Sequence, residues 1–294
     1  MRFEPFRAFI KKHSSPAWWL VMPALSILAI IGLIPLVAVF NYAFFDIFTL
    51  NDRFWVGTEW YASLIRSPDI YLAFLRSALF STLVVCIQFP LGIAIALILR
   101  KGTAMTTATL MVLAVPLVVP WNMIPIIWTN LVNPDYGVIG QLIAWSGWNF
   151  DYKFNAVHTW GLILTVDTWH WIGLVAILAY SGKASIPSSY YQAAAIDGAS
   201  RAKVFWYIEL PKMQPVLLMA LLLRVMDSLL IYTEAFSINA GGPDGATTFL
   251  SLDLGEEIAA FNYGPAAARS VLYFLIVLVM AWNFRRLMHR TQSS

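Results

Sequence analysis

The chain reads as an all-α integral membrane protein with six spanning helices, and three observations give that class. Its 294 residues are 60% hydrophobic and only 12% charged, against a charged fraction of about 25% in soluble domains. Six apolar runs each reach the ~20 residues that a helix needs to cross a ~30 Å hydrocarbon core. Lysine and arginine crowd alternate connections between the runs and are sparse in the others, as expected when one set of loops stays in the cytoplasm.

The runs lie at 17–40, 72–99, 107–130, 157–181, 214–237 and 264–284. The first follows Arg2, Arg7, Lys11 and Lys12 but is too long for a signal-peptide core and has no small-residue cleavage site, so it stays as helix one. The second contains the one cysteine, Cys86, which has no partner for an intrachain disulfide and is expected to be a small buried hydrophobe. Four histidines, His13, His158, His170 and His289, are too scattered for a metal site. The outside loops, roughly 41–71, 131–156 and 238–263, carry turn signals such as Asn133-Pro134-Asp135-Tyr136-Gly137 and Gly241-Gly242-Pro243-Asp244-Gly245. None is long enough to fold alone. A single transmembrane domain over 1–294 is therefore expected.

An even number of spans puts both termini on one side. Thirteen of the 19 Lys and Arg fall there: Arg2, Arg7, Lys11, Lys12, Arg100, Lys101, Lys183, Arg201, Lys203, Lys212, Arg285, Arg286 and Arg290. The opposite loops hold Arg53, Arg66 and Lys153, with Arg76 and Arg269 near helix ends. By the positive-inside rule, both termini and the 4–5 loop face the cytoplasm. The net charge of +3 thus reports orientation, with lipid as the surroundings and no nucleic-acid partner.

That 4–5 loop, about 182–212, carries the most specific pattern in the chain. Gln192-Ala193-Ala194-Ala195-Ile196-Asp197-Gly198-Ala199 is followed, nine residues past Gly198, by Ile208-Glu209-Leu210-Pro211. It resembles the coupling loop of permease subunits in binding-protein-dependent ABC importers, written Glu-Ala-Ala, three residues, Gly, nine residues, Ile-x-Leu-Pro. Gln192 stands where the family usually has Glu; it keeps a hydrogen-bonding shape and loses the charge. The likeness extends to Pro116, Pro120 and Trp128 before Asn133-Pro134-Asp135-Tyr136-Gly137, to Arg224-Val225-Met226-Asp227, to Ala240-Gly241-Gly242-Pro243 with Thr247 and Thr248, and to Tyr263-Gly264-Pro265-Ala266-Ala267. These are similar to the carbohydrate and polyol class that includes the maltose and glycerol-phosphate importers.

The resemblance implies the type I ABC importer permease fold in a bacterial or archaeal cytoplasmic membrane. It also implies a second homologous permease subunit in a heterodimer, two ATPase subunits that bind ATP and Mg, and a periplasmic or extracellular solute-binding protein. The sequence itself agrees on one point: no Gly-x-x-x-x-Gly-Lys-Ser/Thr occurs, since Gly182-Lys183 is followed by Ala184 without the upstream Gly. No cofactor, catalytic residue or metal is expected in this chain, and hydrolysis would be supplied in trans. Gln192, Ala193, Ala194, Asp197, Gly198, Leu210 and Pro211 are then the ATPase-coupling candidates. The alanines favour a slim helix, Gly198 allows a tight turn, and Pro211 is expected to break the chain before helix five. Asp197 reads either as the cap of a second short helix or as a solvated carboxylate.

Ionisable groups at membrane depth are costly and point to function by default. Arg224, Asp227, Ile231 and Glu234 are spaced three, four and three apart, one stripe on one helical face. Counted from 216 at a ~1.5 Å rise, Arg224 and Asp227 fall about 12–17 Å into the membrane. Helix four brings Asp167 and His170 to a similar depth. Arg224 with Asp227, or with Asp167, is a structural ion-pair candidate. Trp121, Asn122, Trp128, Asp167, His170, Asp227, Tyr232 and Glu234 are the substrate-path candidates, because ring faces beside hydrogen-bonding groups suit sugars and polyols, glycerol and glycerol phosphate included. An autonomous ion-coupled secondary transporter is the alternative, in which Asp167, His170 and Glu234 would carry protons or sodium; the coupling loop weighs against it.

Overall fold

Thirteen α-helices and one hairpin follow one another along the described residues. The computed structural model describes residues 17–48 and 52–292; the cluster Arg2, Arg7, Lys11 and Lys12 lies outside them. In order come α1 (Ala17–Tyr42), β1 (Phe45–Ile47), β2 (Arg53–Trp55), α2 (Glu59–Arg66), α3 (Pro68–Ile98), α4 (Ala104–Val118), α5 (Met123–Leu131), α6 (Val138–Trp145), α7 (Ala156–Ala184), α8 (Ser188–Ile196) and α9 (Arg201–Val204). A π-turn over Phe205–Glu209 leads into α10 (Leu210–Ser228), then α11 (Thr233–Asn239), α12 (Leu250–Ala259) and α13 (Tyr263–Gln292).

Four of these helices are long and apolar enough to cross a membrane unaided, and six spans result when two bent pairs are each counted as one. The expected third and fifth runs are the bent ones. Between α4 and α5 the axis turns by 105°. Pro120 accounts for it: a proline disfavours helical geometry in the preceding residue, and Val119 is extended, at φ −67 and ψ 130. Between α10 and α11 the turn is 42°, with neither glycine nor proline at 229–232. There the side chains hold the break. The Ser251 hydroxyl donates to the freed carbonyl of Ile231, and the Tyr232 ring occupies the space that a Cβ on Gly255 would take, 2.5 Å away.

The chain divides into two units, described separately. One holds α1, the β1–β2 hairpin, α2 and residues 257–272. In it, β1 and β2 pair antiparallel with Phe45 opposite Trp55, and the Trp60 indole donates to the Phe45 carbonyl at 3.1 Å. The strands and α2 are additions to the all-helical expectation. Side chains along α1 such as Leu20, Leu28, Ile31 and Val37 are well exposed, the pattern of a helix apolar all round whose solvent is hydrocarbon.

The other unit, 66–256 with 273–294, is built on α7, which packs against α3, α4 and α10. Local signals set its helix starts. Pro68 begins α3 in the first turn, where a missing N–H costs nothing. Thr103 Oγ1 accepts from the Thr106 N–H to cap α4, and Asn155 accepts from Val157 and His158 to cap α7. Two lysines close the opposite ends reciprocally. Lys183 at the end of α7 donates to the carbonyls of Ala96, Leu97 and Leu99 at 2.6–3.1 Å, while Lys101 donates to that of Ala184 at 2.7 Å. Each supplies a cation to terminal carbonyls that have no partner within their own helix.

The core of this unit gathers Phe80, Val84, Ile124, Ile163, Val166 and Phe249, all fully buried. Cys86 is not among such residues. It is exposed and free, because α3 turns Val84 and Gln88 inward and a residue two places from each faces away. The expectation of a buried thiol is corrected accordingly.

Helix α7 meets α4 with almost no side chain between them. A Cβ built on Gly173 would lie 1.9 Å from the Leu113 carbonyl oxygen, so only glycine permits this backbone approach. Gly173→Ala is expected to force the helices apart, at about 1–3 kcal/mol for an overpacked contact. A thermal melt of the purified protein should show the midpoint fall by several degrees; an unchanged midpoint would refute the close approach.

Candidate functional site

Two sites emerge, one on the loop between α7 and α10 and one at the depth of Arg224. In the loop, Gln192, Ala193, Ala194 and Ala195 lie on α8, with Ala194 buried and the other three exposed. The helix ends in two reciprocal bonds: the Gly198 N–H reaches the Ala195 carbonyl at 3.2 Å, and the Ala199 N–H reaches that of Ala194 at 2.9 Å. This is the Schellman arrangement, which needs a left-handed residue at its centre. Gly198 supplies it at φ +63. Ile196, 86% exposed, is thereby held out from the turn as an apolar knob.

Asp197 does not cap the second short helix. It ends the first one, and the α9 cap is the Ser200 hydroxyl, which accepts from the Lys203 N–H. Nor does Pro211 break the chain. Helix runs from Arg201 to Ser228 as one segment, with Pro211 in the first turn of α10. The π-turn just before it widens the hydrogen-bond ladder, which accommodates a ring that has no N–H and would crowd the preceding turn. Leu210 packs against the buried cluster formed by Ala96, Ala179, Met213 and Leu217.

The arm is braced across the turn. Tyr191 donates its hydroxyl to Glu209 Oε1 at 3.2 Å, and Lys212 sits over the Tyr190 ring at 4.9 Å. Burial, then the Glu209 charge and hydrogen bond, push the Tyr191 hydroxyl up to about 12, so it stays a donor throughout the physiological range. These two contacts join α8 to the π-turn and to the first turn of α10.

The second site centres on Arg224, whose side chain is 0% exposed. Its Nη2 reaches Asp167 Oδ2 at 2.6 Å, its Nη1 reaches Asp227 Oδ2 at 2.5 Å, and its Nε donates to Gln88 Oε1 at 2.9 Å. Gln88 in turn donates to Asp167 Oδ2 at 2.8 Å. The Trp171 ring covers the guanidinium at 4.7 Å. The network ties α3, α7 and α10 together, and Arg224 meets both Asp167 and Asp227 rather than one of them.

Beside it lies a cavity of about 110 Å³, lined by Trp121, Asp167, Asp227, Leu230, Ile231, Tyr232, Thr233 and Glu234. Glu234 is 4% exposed. The expected single stripe is interrupted, since Glu234 lies beyond the bend after Ser228, yet the bend itself turns 230–234 toward the Asp167 carboxylate. Trp121 stands edge-on to His170 at 5.9 Å and to Trp171 at 5.8 Å. Tyr232 stacks on Phe236. Three candidates do not line the cavity. Asn122 is exposed at the start of α5, Trp128 packs edge-on against Trp169, and His170 is buried behind Trp121 with its Nδ1 unpartnered among the described residues. Gln88 and Thr233 were not foreseen. A lone amide inside the 72–99 run was the available signal for Gln88.

Residues 88–293 match the family described as binding-protein-dependent transport system inner membrane component. The chain belongs to this family. The permease is 27% identical over 272 residues to the trehalose/maltose transport system permease protein MalF of Thermococcus litoralis, covering 91% of each chain. It is 29% identical over 269 residues to the sn-glycerol-3-phosphate transport system permease protein UgpA of Yersinia enterocolitica, covering 88% of this permease and 89% of that protein. A solved bacterial ABC transporter involved in import of the acidic polysaccharide alginate contains a chain of the same fold, with TM-score 0.81 and 18% identity over 97% of this permease and 99% of that chain. The fold is that of ABC importer permeases, and nothing found favours an autonomous secondary transporter.

Proposed function

We propose that this permease is one membrane half of an ATP-driven importer for a sugar or polyol in a bacterial or archaeal cytoplasmic membrane. Its partners are a second homologous permease subunit, two ATPase subunits that bind ATP and Mg, and a solute-binding protein outside. The carrying observation is the braced α8 turn inside the family-matched region: Gly198 presents Ile196 and Gln192 outward, and the arm continues without a break into the helix that bears Arg224 and Asp227. The substrate path runs along Trp121, Asp167, Asp227, Tyr232 and Glu234. Co-expression with the cognate ATPase, second permease and solute-binding protein, followed by reconstitution into vesicles, should give uptake that requires ATP. Uptake by this chain alone, driven by a proton or sodium gradient, would establish the ion-coupled alternative instead.

In this reading both termini and the 182–212 loop lie in the cytoplasm. With Cys86 replaced by serine, cysteines at Asp244 and Lys153 should react with an impermeant maleimide in intact cells, and cysteines at Lys101 and Lys203 should react only after lysis. The reverse pattern would overturn the orientation.

A further inference from the structure

Resting on that importer reading, we infer that the cavity beside Arg224 selects uncharged polyhydroxy solutes and excludes phosphorylated and uronic ones. The sequence leaves this open, since a membrane arginine is equally suited to pairing or to binding an anion. The geometry decides it. Arg224 commits Nε, Nη1 and Nη2 to Gln88, Asp227 and Asp167, is 0% exposed, and has its face covered by Trp171. It does not line the cavity.

What does line the cavity is acidic. Asp167, Asp227 and Glu234 are its only charged walls among the described residues, and the charges acting on Glu234 are those two aspartates and Arg224. The partners of the network from α3 and α7 add an amide, Gln88, and an indole, Trp171, with no second lysine or arginine bonded to it among the described residues. One arginine against two bonded aspartates leaves no positive excess, whatever the state of Glu234. A phosphate or carboxylate placed there would face three acidic side chains, and the donors on the same wall, the Trp121 indole and the Tyr232 and Thr233 hydroxyls, are neutral. A sugar hydroxyl donates to the same oxygens, and the Trp121 ring offers the apolar face that pyranose CH groups pack on. At about 110 Å³, against roughly 300–1,000 Å³ for whole ligand pockets, the cavity is one subsite of a longer path.

Equilibrium dialysis of the purified, assembled complex without its binding protein isolates the membrane site. The probes are radiolabelled trehalose and maltose as neutral sugars, and sn-glycerol 3-phosphate and a diuronate as anions. Retention of a neutral probe at least tenfold above both anions is expected. Glu234→Gln should narrow that ratio at least threefold while the complex elutes intact, and Glu234→Asp should restore it. Equal or stronger retention of an anion would overturn the inference and leave the importer reading standing. Retention of no probe would also overturn it. Failure of the importer reading is separately visible as absence of ATP-driven uptake by the complete complex.

Discussion

Replacing Arg224 by alanine is expected to prevent assembly of the complex rather than to yield a well-folded, inactive one. The substitution removes the partner of two carboxylates, but they are not equally stranded: the Asp167 side chain is 3% exposed, that of Asp227 29%. Asp227, the more exposed of the two, can be hydrated through the cavity that it lines, whereas the buried Asp167 side chain keeps only the Gln88 amide as a bonded partner. Breaking a buried pair in this way costs roughly 3–5 kcal/mol, a large part of the ~5–15 kcal/mol that holds a domain folded. Size-exclusion yield of the co-expressed complex should drop more than tenfold. Arg224→Ala with Asp167→Asn should recover a large part of it, because the uncompensated charge is gone, and the non-additivity of the two changes measures their coupling. A monodisperse, transport-dead Arg224→Ala complex would instead place Arg224 in the solute path.

Much of this architecture is legible in the sequence because a membrane permits few choices. An apolar run of membrane length must be helical, since its backbone groups find no other partners in hydrocarbon, and α3, α7 and α13 follow directly. Pro120 also carried a signal for the 105° bend, through its effect on Val119. The break at 229–232 carried none: it depends on Ser251 and Gly255, some twenty residues further on. Gln88 was missed for a related reason. It lies 79 and 136 residues from the groups it bonds, and spacing within one helix says nothing about partners on another. The same limit explains Pro211, whose effect was judged from its own ring while the π-turn that accommodates it is set by the helix before it.

Gly198→Val is expected to uncouple the importer while leaving the permease inserted and stable. The residue sits at φ +63 with nothing within 4 Å of where a Cβ would be, so the side chain itself collides with no neighbour. The cost is conformational, about 1–2 kcal/mol for an L-residue in left-handed geometry, and greater for a β-branched one. The turn escapes that cost by giving up the bonds from Gly198 to Ala195 and from Ala199 to Ala194. Ile196 and Gln192 then no longer hold their outward positions, and under the proposed coupling the ATPase would lose the surface that it pushes on. ATP-driven uptake should fall more than tenfold, with expression, membrane insertion and melting midpoint close to those of the parent. Gly198→Asn, which tolerates left-handed geometry, should retain most of the transport, and Gln192→Glu should be tolerated because it keeps the shape and adds only charge on an exposed face. The contrast between valine and asparagine is the decisive measurement: equal loss in both would mean that the position needs a bare backbone against its partner, and wild-type uptake in the valine variant would remove this turn from the coupling path.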